Sequence, residues 1–194
     1  MLMRHLLLLP ATLLVLAVAG CYDTQREVFG PEEAVAVPGL DGTYVCTNDK
    51  GACGLFTVFW AQSERNYRII AQSPPNPHQS FGVFRVIPLA TNLYVVQLRY
   101  ESDAPNYDGP DVFAQTFFRV KRSKGAIAAL EELLPERDQA MAIVQGYAID
   151  VWEQHKKAQG LSGERTALNR FLRSLRAVSF KVVATYSRVR QDNG

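Results

Sequence analysis

Two histidines lie beyond residue 20, His78 and His155, and neither has a second His, Cys or Glu at the spacing a zinc ion needs. His155 follows Glu153, but His-Glu-x-x-His is absent. The stretch Glu101–Asp111 gathers four carboxylates, the oxygen ligands that calcium prefers, yet Pro105 and Pro110 break the spacing of an EF-hand loop. No metal site and no cofactor is expected from these patterns. Gly160-Leu161-Ser162-Gly163 approaches the Gly-x-Ser-x-Gly turn of a serine hydrolase, but Glu164 stands where the last glycine belongs and the run before it is polar. Ser162 reads instead as the N-cap of a following helix. The aromatic residues are the remaining signal. Phe56, Trp60, Phe84, Tyr94, Tyr100, Phe113 and Phe118 would either line a cavity in a curled sheet or simply fill a core.

The elements that must position these residues are mostly strands. From Asp41 onward, short runs of aromatic and β-branched residues are punctuated by turn chemistry. The pattern predicts strands over Thr43–Thr47, Leu55–Gln62, Tyr67–Ser73, Phe81–Ile87, Leu93–Glu101 and Val112–Lys121. Asn48–Gly51 supplies the first turn, and Pro74, Pro75 and Pro77 mark a loop. Short turns between consecutive strands predict antiparallel pairing in a meander. After Lys121 the period becomes helical, over Ala126–Leu134 up to Pro135 and over Glu136–Gln145. Tyr147–Lys157 fits either a helical or an extended reading. Arg165–Ala177 carries Leu168, Phe171, Leu172 and Leu175 as an apolar stripe, with Arg165, Arg170, Arg173 and Arg176 off it. A seventh strand, Phe180–Ser187, returns to a sheet edge. The expected fold is α+β: a curled antiparallel β-meander, or partial barrel, packed with C-terminal helices and a final returning strand.

Charge is distributed unevenly. Residues 21–118 carry 6 Lys+Arg against 11 Asp+Glu, whereas residues 119–194 carry 14 against 8. Arg170, Arg173 and Arg176 would therefore meet an anionic surface or form a solvated face.

The N-terminus decides where the chain lives. Arg4 precedes an apolar run, Leu6–Val18, whose thirteen residues reach only about 20 Å as a helix, short of the roughly 30 Å hydrocarbon core. A charged start, a short apolar run and small residues before a cut site mark a secretory signal peptide. Val18-Ala19-Gly20-Cys21 resembles the lipobox of bacterial lipoproteins. The resemblance implies that Cys21 is lipidated, that residues 1–20 are cleaved as signal peptide, and that Cys21 begins the mature chain. It implies a palmitate-type lipid anchor. With Tyr22 rather than aspartate after the cysteine, it favours the outer membrane, facing the periplasm, where the source has two membranes.

Residues 21–40 show no lasting periodicity and hold Gly30, Pro31, Pro38 and Gly39, the composition of a flexible tether ahead of a single domain over residues 41–190. With Cys21 consumed by lipid, Cys46 and Cys53 remain as a pair across a hairpin turn, in a compartment that permits a disulfide. The leading expectation is a non-catalytic envelope lipoprotein acting through an envelope protein or an anionic surface, not through nucleic acid. A carrier of a small apolar ligand inside the sheet is the alternative, and a hydrolase the third.

Overall fold

The computed structural model describes residues 22–73, 76–101, 113–154 and 158–189. Residues 1–21, with the expected signal peptide and Cys21, the carboxylates of Ser102–Asp111, His155, and the side chains of His78 and Tyr100 lie outside the described residues.

In chain order the elements are β1 (Tyr22–Thr24), β2 (Gly42–Asn48), β3 (Gly51–Ala61), β4 (Asn66–Ser73), β5 (Asn76–Ala90), β6 (Leu93–Glu101), β7 (Phe113–Ser123), β8 (Ala126–Pro135), α1 (Arg137–Val144), β9 (Ile149–Gln154), β10 (Ala158–Gly163), α2 (Arg165–Ser174) and β11 (Phe180–Arg188). Strands β2 to β8 follow one another in an antiparallel meander, and β11 pairs antiparallel with both β8 and β2. Pairing of β6 with β7 completes the circuit, so the sheet is a closed eight-stranded barrel. The final strand therefore does not lie at an edge; it closes the ring. Closure leaves no barrel strand with a free row of backbone donors and acceptors. Outside it, β1 continues beside β7 where β8 has turned away, and carries β10 and β9 with it.

Each barrel strand alternates, but on β5 to β8 both faces are buried. On β6, Tyr94, Val96 and Leu98 point inward, while Leu93 and Val95 point outward. The outward layer packs Ile87, Leu93, Val95, Phe117 and Leu133 against Leu168, Phe171 and Leu172 of α2 and against Ala140 and Val144 of α1. Burying each large side chain of the α2 stripe contributes about 1.5–3 kcal/mol, which fixes the helix to the wall although it is only 10 residues long.

Three further expectations are overturned. Ala126–Leu134 is not a helix: it is most of strand β8, paired with β7 and β11. Ala, Leu and Glu favour helix, but two neighbouring strands offer this segment's backbone a full set of partners, and tertiary context overrides propensity. The overlooked signal is Lys124-Gly125, both at positive φ (51° and 83°), a two-residue hairpin turn joining Ser123 to Ala126. Second, Ser162 does not cap α2. It lies within β10 opposite Asp150, and Glu164 holds the cap position. Gly163 is explained by packing, since a Cβ there would meet the Ala148 carbonyl oxygen at 2.9 Å.

Third, from Tyr22 onward residues 21–40 are not a tether. Val28, Phe29 and Ala34 are fully buried, and Val37 and Leu40 nearly so. Gln97, on the outward face of β6, accepts hydrogen bonds from Val28 N (2.7 Å) and Phe29 N (3.0 Å) and donates to Phe29 O (3.0 Å). Such a segment satisfies its backbone through side chains instead of a ladder, so it leaves no periodic trace in the sequence. Glu136–Gln145 contains α1, and the ambiguous Tyr147–Lys157 contains strand β9.

The uneven charge is partly neutralised within the chain. Glu33 accepts from Arg173 (3.0 Å) and Asn169 (2.8 Å) of α2, and Arg165 lies 3.5 Å from Glu32. Partial burial alone would raise the Glu33 carboxyl, but hydrogen bonds from Asn169, Arg173 and the Gly30 N–H, with the Arg173 charge, carry it below its usual range. Arg173 also sits over the Phe29 ring at 5.6 Å. Of the three arginines assigned to an anionic surface, Arg173 is thus occupied inside the fold, whereas Arg170 and Arg176 are exposed.

Candidate ligand cavity

The barrel interior is not filled. Inward residues of β2 to β8 and β11 enclose a cavity of ≈ 110 Å³, partly open to solvent. The buried chain segment before β2 plugs one end. Tyr67 Oη accepts from Val37 N (2.7 Å) and lies 3.3 Å from Val37 O, and Tyr44 Oη donates to Leu40 O (2.8 Å). Burial pushes the Tyr67 hydroxyl up to about 12. These two bonds hold Val37 and Leu40 in the cavity lining. Towards the other end, Cys46, Phe56, Ala71 and Ala184 form a small cluster beneath the β2–β3 turn. There Cys46 is bridged to Cys53 with Cα atoms 5.1 Å apart. Cys46 pairs with Gly54 and Thr47 with Ala52, so Cys53 is the extra residue of a bulge and can reach Cys46 across the ladder.

Phe56, Phe84, Tyr94 and Phe118 line the cavity. Trp60 shares the inward face but lies near the plugged end, against the Tyr67 ring at 4.8 Å, and does not line it. Phe113 faces away: it opposes Arg99, and its carbonyl accepts from Thr24 Oγ1 of β1. The strand period fixes this outcome, because inward Ala114 and Thr116 force Phe113 outward.

The cavity wall is almost wholly apolar apart from one acid. Glu132 of β8 is 5% exposed. Its Oε2 accepts from Tyr186 Oη (2.8 Å) and its Oε1 lies 3.4 Å from Thr116 Oγ1. Burial pushes the carboxyl up, against the lowering effect of these two hydrogen bonds. Sequence reading missed Glu132 because it placed the segment on a helix. On a strand, adjacent Glu131 and Glu132 must face opposite ways. Glu131 faces out to Arg119 and Lys121, both at 3.3 Å, and Glu132 faces in. Among the described residues no group of His, Cys, Asp and Glu is arranged to hold a metal ion.

The raised Glu132 carboxyl gives a pH prediction. The folded chain holds that proton more tightly than the unfolded chain, so its contribution is fully present below the ordinary glutamate pKa of about 4.3 and is lost as pH rises through the raised value. Glu132→Gln removes the loss. The melting temperature of the variant minus that of wild type should grow between pH 5 and pH 8. Thermal melts across that range check it; a variant less stable at pH 8 than at pH 5, relative to wild type, would mean the charge is compensated.

Comparison with family models, with curated proteins and with solved structures found no match to this chain.

Proposed function

We propose that this chain is a membrane-anchored binding protein whose barrel holds a small, mostly apolar ligand. The observation that carries the reading is the ≈ 110 Å³ cavity inside the closed barrel. An eight-stranded barrel is just wide enough for side chains to fill or for one small ligand to enter, and here the side chains leave space. The volume is of the order that accommodates a single six-membered ring, somewhat below the engineered 150 Å³ cavity that takes up benzene.

The anchor in this proposal is lipid on Cys21, supported by the lipobox resemblance. No helix among the described residues is long and apolar enough to cross a membrane. Because Tyr22 is already 6% exposed and paired in β1, a lipid on the preceding residue would hold the barrel close to the bilayer rather than at the end of a tether.

Native mass spectrometry of protein extracted gently from its own envelope tests the ligand. A stoichiometric small molecule is expected, and it should be lost from Ala71→Phe, which fills the cavity wall. In the same preparation, Cys21→Ser should lose the lipid mass. A ligand-free protein recovered in a stoichiometric complex with another protein would favour the contact reading instead. That reading has one structural support, Val45 and Leu55, paired across β2 and β3 and each 38% exposed.

A further inference from the structure

We propose that the ligand carries a protonated amine, bound by the Glu132 carboxylate with its apolar body among the rings around Tyr186. The inference rests on the reading of the barrel as a ligand-binding module and assigns that module a ligand class.

Among the described residues Glu132 is a buried acid without an ion-pair partner, and the described cavity lining contains no Lys, Arg or His. A carboxylate offers about four acceptor positions. Tyr186 fills one and Thr116 approaches a second, which leaves acceptor capacity on a residue that lines the cavity. The Tyr186 ring stands 5.3 Å from Phe56, edge-on, and 5.6 Å from Phe118, tilted, so the acid lies beside a cluster of three aromatic rings. Ring faces and a carboxylate attract the same class of group, an organic cation.

Energetics separate this ligand from its neutral analogues. The cost of removing Glu132 from water is incurred on folding, whether or not a ligand arrives. An entering ammonium then gains a charge-assisted hydrogen bond in a low-dielectric site, against its own desolvation and, where Glu132 is protonated, the loss of that proton. A hydroxyl of the same shape gains a weaker bond, and a carboxylate or phosphate would be repelled. The cavity thus discriminates by charge, while its ≈ 110 Å³ limits the apolar body to about a ring or a short chain. Burial holds the empty site's carboxyl towards its protonated form, so amine binding should release a proton wherever Glu132 carries one. Thr116 and Phe118 on β7 and Ala184 and Tyr186 on β11 are its neighbours, and among the described residues the other titratable side chains of the lining are Tyr44 and Tyr94.

Calorimetry with the full chain in lipid nanodiscs, stripped of ligand, compares benzylamine with benzyl alcohol. Benzylamine should bind about tenfold more tightly, the factor that roughly 1.4 kcal/mol of charge assistance gives. Glu132→Gln should erase that advantage, weakening benzylamine more than benzyl alcohol. In wild type, repeating the benzylamine titration in buffers of different ionisation enthalpy should reveal proton release that benzyl alcohol lacks; this readout needs no variant. Equal affinities for the two probes, or equal proton release at a pH where wild type holds the Glu132 proton, would overturn the amine and keep an apolar cavity. Binding of neither probe would overturn both the amine and the ligand-binding reading.

Discussion

Replacing Gln97 with leucine should cost about 3 kcal/mol and release the segment around Val28 and Phe29 from the barrel wall. The side chain is 3% exposed and serves three backbone groups, Val28 N, Phe29 N and Phe29 O. Phe29 O has a second donor, Arg85 Nη1 at 3.0 Å, so the carbonyl stays satisfied. The two N–H groups do not. A buried donor left without an acceptor costs about 1–3 kcal/mol, and leucine of nearly the same size offers none. Gln115 Nε2 also loses its 3.3 Å contact with Gln97 Oε1. At roughly 2–4 °C per kcal/mol, the melting temperature should fall by about 6–12 °C. Amide hydrogen exchange identifies the mechanism: Val28 and Phe29 should lose protection ahead of the barrel strands. Unchanged protection at both amides would show that the segment is held by its apolar side chains alone.

Opening the Cys46–Cys53 bridge should destabilise the barrel by about 2.5 kcal/mol, the chain-entropy value for a loop of eight residues. The structure adds a local consequence. Cys46 is 2% exposed and shares a cluster with Phe56, Ala71 and Ala184, against which Tyr186 also packs. Loss of the bridge frees the β2–β3 bulge beside the rings that line the cavity, so ligand affinity should weaken together with stability. Alkylation of unfolded, unreduced protein followed by intact mass reports the bridge. Thermal melts with and without reductant report its effect. Incorporation of two alkyl groups without reductant would show that no bridge forms, and identical melts would show that it contributes nothing.

How far the site could be read in advance depended on the parity of single strands. Alternation alone puts Tyr94 and Leu98 on one face of β6, and both line the cavity. Phe113 shows the same rule from the other side, since one step along β7 moves a ring from the interior to the outer layer. Glu132 was hidden because a helical reading of Ala126–Leu134 does not turn adjacent residues to opposite faces, so nothing set it apart from Glu131. Arg173 could not be assigned from its helix either, because its partner, Glu33, lies 140 residues away.

The sequence by itself determined the local features: strand alternation in β2 to β7, the apolar stripe of α2, the turn at Asn48–Gly51, and a pair of cysteines across that turn. Each depends on neighbours a few residues apart, where period and turn chemistry operate. Only the tertiary structure decided that the ring closes, that Ala126–Pro135 is a strand, and that the stretch after Tyr22 packs against the wall. These depend on partners far along the chain. Strand β8 is a strand because β7 and β11 satisfy its backbone, and the N-terminal segment is ordered because Gln97 satisfies its amides. A buried acid facing an unfilled apolar interior exists only once all eight strands have met, since no stretch of sequence carries a cavity.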